Sequence, residues 1–187
     1  MFFLQPSQKR LLSSFNPLVL AALAFVACVL RSTAAPLLSE TFLRWDALMP
    51  FVAFFAARRV LVEGLILTLF TAHVYSLCSA APIGVFTTHY LLLFFVARLL
   101  TYVVFADTWV TELGLLALLT LLARFVLPAV AWGFDTGWAV FSWENLHPLG
   151  WLLNSLGGLL VFRMLVAVDR MTFKSPRTSI ELAESGL

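Results

Sequence analysis

The sequence has little charge: only 12% of its 187 residues are Asp, Glu, Lys or Arg, whereas 61% are hydrophobic. A water-soluble domain of this length would expose more apolar surface than water tolerates, so the composition excludes a soluble globular fold. Lysine occurs only at Lys9 and Lys174, and the formal net charge of +2 does not suit a nucleic-acid-binding surface. We therefore expect the chain to lie in a lipid bilayer, where apolar helices of about 20 residues cross the hydrocarbon core.

Cysteines and catalytic motifs are equally scarce. Cys28 and Cys78 lie in separate apolar stretches, a spacing that fits neither a disulfide framework nor a metal site. No serine lies in a glycine-framed loop, as a rhomboid-like protease would require. His73, His89 and His147 lack the helical spacing of an intramembrane metalloprotease. The sequence therefore predicts a protein that is not an enzyme and has no cofactor and no metal site.

Six apolar stretches, separated by charges or by a Pro/Gly break, predict six transmembrane helices. They cover about residues 11–30, 42–57, 60–81, 84–105, 107–132 and 148–168. The second is short, so Arg44 and Asp46 must reach the headgroups at one of its ends. Asp107 is the predicted N-cap of the fifth. The expected fold is an all-α, single-domain, polytopic integral membrane bundle of six helices, followed by a polar cytoplasmic tail at residues 169–187.

The distribution of Lys and Arg predicts the orientation of this bundle. If the N-terminus is cytoplasmic, the cytoplasmic side holds nine basic residues: Lys9, Arg10, Arg58, Arg59, Arg98, Arg163, Arg170, Lys174 and Arg177. Only Arg31 and Arg44 then lie outside, and Arg124 lies within a span. This asymmetry predicts that both termini are cytoplasmic. The tryptophan-rich residues 137–146 form either an amphipathic helix on the outer surface or an ordinary loop.

Ionisable and polar groups inside apolar stretches are costly in lipid and are functional candidates by default. The candidates are Glu63, His73, His89, Glu112, Arg124 and Asn154. Glu63 lies one turn from Arg58 and Arg59, which predicts a solvated ion pair at the cytoplasmic interface rather than a functional site. Arg163 is expected to extend to the same interface, where its charge stays solvated.

Arg124 is the least easily explained of these groups, because long uncharged segments flank it on both sides. Glu112 lies about 18 Å away along the same helix and is out of its reach. Arg124 is therefore expected to meet a carbonyl, His89, Asn154 or another chain. Its replacement by leucine is then expected to disturb assembly more than the replacement of Arg163.

A tight hairpin joins the third and fourth predicted helices, because only residues 81–84 separate them. Lipid offers no hydrophobic drive for helix association, so a partner must be bound through shape, small residues and a few polar groups. Such residues cluster here: Gly64, Ala72, Ser76, Ser79, Gly84, Thr87 and Thr88. The predicted partner-binding residues are Gly64, Pro82, Gly84, Thr88 and Arg124. The alternative is that the small residues only pack the chain's own helices.

Residues 45–100 carry a series of short motifs. They are Trp45-Asp46-Ala47-Leu48, Phe54-Phe55-Ala56-Ala57-Arg58-Arg59, Glu63-Gly64-Leu65, Ala81-Pro82-Ile83-Gly84, Tyr90-Leu91-Leu92 and Ala97-Arg98-Leu99. This series resembles the rod-shape-determining protein MreD family of bacteria. The chain departs from the family pattern before the proline, where residues 73–76 supply no acidic side chain.

The resemblance implies a non-enzymatic scaffold of the bacterial inner membrane that belongs to the cell-elongation machinery. Its expected partner is a single-span protein similar to MreC, which connects it indirectly to the MreB cytoskeleton and to peptidoglycan synthases. The alternative is a substrate-binding membrane subunit of a vitamin transporter, whose six-helix architecture the family is thought to resemble. In that case the outer hairpin, His89 and Arg124 would line a small-molecule pocket.

Overall fold

The computed structural model describes residues 6–34, 46–79, 82, 84–103, 108–134 and 148–174. Within these residues the protein is all-helical. The six helices are α1 (Pro6–Ala34), α2 (Met49–Arg58), α3 (Leu61–Cys78), α4 (Val85–Val103), α5 (Trp109–Gly133) and α6 (Pro148–Met171). The predicted helical membrane bundle is therefore confirmed, and the protein is a multi-pass membrane protein.

Five of the helices are long and apolar enough to cross a bilayer, and α2 is the exception. With 10 residues, α2 is about 15 Å long, half of the ~30 Å hydrocarbon core. The sequence predicted a longer second helix over residues 42–57, and residues 42–45 lie outside the described part. Pro50 lies in the first turn of α2, where a proline removes no intrahelical hydrogen bond.

The short helix α2 lies at the centre of the bundle. It packs against α3, α4, α5 and α6, and α1 packs mainly on α3. Every side chain from Met49 to Ala57 is buried, and Phe54 stacks edge-on against Phe162 of α6 at a centroid distance of 5.3 Å. A helix that is apolar on all sides suits either a protein core or a lipid-exposed span, and the packing shows that α2 lies in the core. The five long helices turn their exposed apolar side chains outwards, as a lipid-facing surface requires.

Polar contacts show which helix ends lie together. Asn16 of α1, Arg59 after α2 and Asp169 of α6 meet at one end, which we name the basic end. Arg31 of α1 and Tyr75 of α3 meet at the other, which we name the opposite end. Chain direction therefore alternates from α1 to α2 to α3, as in a polytopic bundle.

Two helix ends differ from the sequence prediction. The N-cap of α5 is Thr108 and not Asp107, because the Thr108 and Thr111 side chains form a capping box with each other's backbone N–H groups. Helix α6 continues past residue 168 to Met171, so Asp169 belongs to the bundle and not to a polar tail. Residues 137–146 and 175–187 lie outside the described part of the chain.

Candidate functional site

The basic end of the bundle contains a cluster of five polar side chains, which we name the basic-end cluster: Asn16, Arg59, Glu63, Asp169 and Lys174. Its centre is Arg59, which is only 1% exposed. Arg59 Nη1 donates to Asp169 Oδ2 over 3.0 Å, and Arg59 Nη2 donates to Asp169 Oδ1. Nη2 also donates to Asn16 Oδ1 over 2.7 Å. The guanidinium thus makes a bidentate pair with the carboxylate, the strongest geometry for such an interaction.

The remaining members of the cluster complete its hydrogen bonding. Asn16 Nδ2 donates to Asp169 Oδ1 over 3.0 Å and to Thr172 Oγ1 over 2.6 Å. Glu63 lies between two cations, 3.2 Å from Arg59 Nε and 3.0 Å from Lys174 Nζ. The predicted ion pair of Glu63 is confirmed, although its partner Arg59 is buried and not solvated. The cluster joins α1, α3 and α6 to the C-terminal end of α2.

Arg98 of α4 also reaches the C-terminal end of α2. Its Nη1 donates to the carbonyl oxygen of Ala56 over 3.1 Å and to that of Arg59. The last carbonyls of a helix have no intrahelical partner and carry partial negative charge, so a buried cation is favourable there. Arg98 is itself buried, so it serves as the C-terminal cap of α2 from a neighbouring helix.

Asp46 caps the other end of α2. Its Oδ1 accepts hydrogen bonds from the backbone N–H groups of Leu48 (3.0 Å) and Met49 (3.2 Å) and from the Tyr90 hydroxyl (2.8 Å). Its own N–H donates to Asn154 Oδ1 over 2.8 Å. A carboxylate at a helix N-terminus satisfies orphan donors and complements the helix dipole. The half-buried Asp46 side chain thus binds groups of the bundle itself, and its predicted position at the headgroups stays a prediction.

Aromatic side chains extend from Asp46 towards α1. The rings of Tyr90 and Tyr75 lie edge-on with centroids 5.8 Å apart, and the Tyr75 hydroxyl accepts a hydrogen bond from Arg31 Nε over 2.8 Å. The His89 ring lies 4.9 Å from the Tyr90 ring and is 2% exposed. Among the described residues, its Nδ1 has no hydrogen-bond partner. We name these five residues, Arg31, Asp46, Tyr75, His89 and Tyr90, the opposite-end cluster.

A separate ion pair joins α5 and α6. Arg163 Nε lies 2.8 Å from Glu112 Oε2, and the Glu112 carboxylate is buried. The sequence analysis expected Arg163 to extend to the interface with a solvated charge. The guanidinium thus lies within reach of an opposite charge on the neighbouring helix, which the sequence analysis did not anticipate, while the Arg163 side chain is 41% exposed.

Arg124 lies nearer the opposite end, half-buried, with its guanidinium beside Gly150, the third residue of α6. A Cβ atom on Gly150 would approach Arg124 Nη2 to 3.2 Å, so the glycine leaves room for the large side chain. The pairing of Glu112 with Arg163 agrees with the inference that Glu112 is out of reach of Arg124.

The other predicted partner-binding residues lie in different environments. Gly64 is internal: a Cβ atom there would lie 2.9 Å from the carbonyl oxygen of Phe55, so only glycine lets α3 approach α2 so closely. Gly84 has a φ of 98°, which favours glycine, and it begins the turn into α4. Pro82 is exposed and Thr88 is half-buried. Partner binding at these residues stays a prediction. A substitution of Gly64 disturbs the packing of α3 against α2, so it affects folding before it can affect partner binding.

Sequence reasoning missed the role of several residues at both ends. Asn16 was not singled out, because an isolated asparagine in an apolar stretch gives no local signal of a distant partner. Asp169 was assigned to the tail, and Tyr75 and Tyr90 were not considered as hydrogen-bonding groups. Each of these residues is far in the sequence from its partner: Asp169 from Asn16, Tyr75 from Arg31 and Tyr90 from Asp46. No periodicity in the sequence shows which helix faces are adjacent.

The described residues contain no group of three or more His, Cys, Asp or Glu side chains that could hold a metal ion. Most of the buried charges described above instead pair with charges or carbonyls on other helices. Chemically, this arrangement fixes helix positions. Comparison with protein families, curated proteins and solved structures finds no match for this chain.

Proposed function

We propose that this protein is a non-enzymatic scaffold of the bacterial inner membrane that serves the cell-elongation machinery. It binds a single-span protein similar to MreC and through it links the cytoskeleton to peptidoglycan synthesis. The proposal rests on the sequence resemblance over residues 45–100. It rests also on the structural roles of the same residues in the helix bundle.

One observation carries the proposal furthest: the motif residues of the resemblance meet around α2. Asp46 caps its N-terminal end and Arg98 its C-terminal end. Arg59 ties the end of α2 to α6, Gly64 admits α3 against α2, and Gly84 makes the turn into α4. These residues therefore serve to position the helices relative to one another. A rigid arrangement of helices suits a scaffold, whose function is to present a fixed surface to its partners.

The charge distribution supports a cytoplasmic location for the basic end. Within the described residues, Lys9, Arg10, Arg170 and Lys174 lie at or near the basic end, close to the basic-end cluster. Basic residues concentrate on the cytoplasmic side of membrane proteins. Single cysteines at Ser39, Asp135 and Ser179, without Cys28 and Cys78, test this orientation. An impermeant thiol reagent added outside should label the first two and not the third; labelling at Ser179 contradicts the orientation.

The function is tested by coexpression of the tagged chain with the MreC-like single-span protein of the same organism. The two should purify together in mild detergent, and depletion of the chain should turn rod-shaped cells round. Thr88→Leu tests the predicted hairpin surface, and Leu160→Phe, at an exposed site on α6, is the matched control. Unchanged cell shape together with no complex contradicts the proposal.

A second candidate function is substrate binding in a vitamin-type transporter. The observation that favours it is the Nδ1 of buried His89 beside Tyr90, which has no hydrogen-bond partner among the described residues. A small polar ligand would supply the missing hydrogen bond. Mass spectrometry of protein purified from its own membrane distinguishes the two functions, because a binding subunit retains a stoichiometric small molecule and a scaffold does not.

A further inference from the structure

Two exposed tryptophans lie at the two ends of α5. Trp109 is the first residue of the helix and Trp132 the last but one, and their side chains are 60% and 86% exposed. The helix rise places them about 35 Å apart along the axis. The hydrocarbon core of a bilayer is about 30 Å thick, and tryptophan concentrates at its two headgroup interfaces. The two rings thus have the separation of the two interfaces.

The surface of α5 between the two tryptophans suits lipid. The exposed residues of this stretch all lack a polar side chain: Val110, Gly114, Leu118, Leu121, Phe125 and Ala129. Its two charged side chains, Glu112 and Arg124, are buried or half-buried and lie against α6. Lipid chains can therefore cover α5 from one tryptophan to the other, because no exposed side chain there needs a hydrogen-bond partner.

Contacts between α5 and α6 relate this scale to the rest of the bundle. Three contacts give one antiparallel register for the two helices: Glu112 with Arg163, Leu116 with Gly158, and Arg124 with Gly150. In this register Thr120 of α5 lies level with Asn154 of α6. Thr120 lies midway between Trp109 and Trp132, so Asn154 lies about 17 Å from the level of each tryptophan.

Helix α2 begins near that middle level. The backbone N–H of Asp46 donates to Asn154 Oδ1 over 2.8 Å. At the other end of α2, Arg59 binds Asp169. The same register of α5 and α6 places Asp169 about 6 Å beyond the level of Trp109, towards the basic end. Helix α2, which is about 15 Å long, thus extends from near the middle level to the level of Trp109.

We propose that Trp109 and Trp132 lie in the two headgroup interfaces of the bilayer, so that α2 crosses only the half of the hydrocarbon layer next to the basic end. Asp46 then lies near the middle of the layer, where an acidic group needs polar partners from the protein. The Tyr90 hydroxyl and two backbone N–H groups supply them. The sequence instead predicts Asp46 at the headgroups, so a measurement of depth decides between two definite positions.

Spin labels on the lipid-facing side of α6 measure this depth. Leu153→Cys, Leu160→Cys and Met171→Cys, each in a Cys28→Ala/Cys78→Ala background, place the label at exposed positions. The full-length chain is reconstituted in vesicles of phosphatidylethanolamine and phosphatidylglycerol. The depth of each label follows from its accessibility to oxygen, which enters the hydrocarbon layer, relative to a polar nickel chelate, which does not.

The label at residue 153, beside Asn154, should be the deepest of the three. The label at residue 160 should lie about 10 Å nearer the basic end, and the label at residue 171 should reach the headgroups. Residue 160 is at the middle of α6 itself. If the label there is the deepest, the hydrocarbon layer is centred on α6, and the proposed position of α2 is wrong.

The tryptophans themselves are tested by fluorescence quenching with brominated phospholipids. Chains that keep only Trp109 or only Trp132, with the other five tryptophans replaced by Phe, should be quenched most by bromines near the headgroup. The matched control, Leu121→Trp in a chain without other tryptophans, should be quenched most by bromines deep in the acyl chain. Strongest quenching of Trp109 or Trp132 by deep bromines overturns the proposal. Absence of quenching overturns it as well, because protein then covers the ring.

Discussion

The two ends of α2 are held in different ways. At the basic end, Arg59 is almost completely buried and pairs with Asp169, while Glu63 and Lys174 extend the ionic network. At the opposite end, Asp46 is the only acidic group of its cluster and its contacts are hydrogen bonds from a tyrosine hydroxyl and from backbone N–H groups. The basic end thus has paired charges in addition to the Arg98 cap, whereas the opposite end relies on the Asp46 cap.

Both ends need such contacts because a short helix lies inside a low-dielectric bundle. A helix of 10 residues cannot bring its unpaired N–H and carbonyl groups to water at both bilayer surfaces. Neighbouring helices or the residues that flank α2 must therefore supply donors at its C-terminal end and acceptors at its N-terminal end. Arg98 and Asp46 do so with the charge that complements the helix dipole.

The largest effect is expected from breaking the buried ion pair at the basic end. Asp169→Leu removes the bidentate carboxylate from the buried Arg59, which then keeps Glu63 as its carboxylate partner, and should lower the free energy of unfolding by about 3–5 kcal/mol. SDS-induced unfolding in mixed micelles measures this change. Arg170→Leu is the matched control, because Arg170 is the exposed neighbour of Asp169 on α6.

The double variant Arg59→Leu/Asp169→Leu separates loss of the pair from loss of packing. Because it removes both buried charges, it should recover a large part of the stability lost in Asp169→Leu. If Asp169→Leu is no less stable than Arg170→Leu, the basic-end cluster does not hold the bundle together.

The ion pair between Arg163 and Glu112 should matter less than the network at the basic end. Arg163→Leu removes the Arg163 guanidinium from the buried Glu112 carboxylate and should cost about 1–3 kcal/mol of unfolding free energy. The same SDS titration measures it, with Met164→Leu, at the lipid-facing neighbour, as the control. A loss as large as that of Asp169→Leu would show that the network adds nothing beyond a single pair.

At the opposite end, Asp46→Ala removes the cap of α2. The backbone N–H groups of Leu48 and Met49 lose their acceptor, so the expected loss is about 0.5–2 kcal/mol, as for other helix N-caps. Asp46→Asn keeps an acceptor oxygen and should lose less. If the two variants are equally unstable in SDS, charge complementarity with the helix dipole outweighs the hydrogen bonds.

Hydrophobic runs and interrupting charges were sufficient to predict a helical membrane bundle and a short second element. They also located Asp46, Arg59 and Glu63, since charges beside an apolar run stand out in the sequence. They did not show that α2 is enclosed by four other helices. Its all-round apolar composition fits a lipid-exposed span equally well, and only the packing of distant segments distinguishes the two.

The candidate site was harder to predict, because its pairs join residues from distant parts of the chain. Arg163 and Glu112 each looked explicable alone, one as a solvated charge and the other as a group near a helix start. Their pairing depends on the register between α5 and α6, which Gly158 against Leu116 and Gly150 against Arg124 now define. No single-sequence pattern encodes that register.

The smallest effect is expected for Tyr90→Phe, which removes one hydrogen bond from Asp46 and keeps the ring. The ring packs against Tyr75 and Phe86, so the apolar contacts are retained and the loss should be about 0.5–1.5 kcal/mol. Tyr102→Phe, at an exposed tyrosine on the same helix, is the matched control for the hydroxyl. In an Asp46→Ala background, Tyr90→Phe should change stability less than in the native chain, because the acceptor is already absent. If the two losses are additive, the hydroxyl acts independently of the cap, and the opposite end is held by ring packing rather than by hydrogen bonding to Asp46.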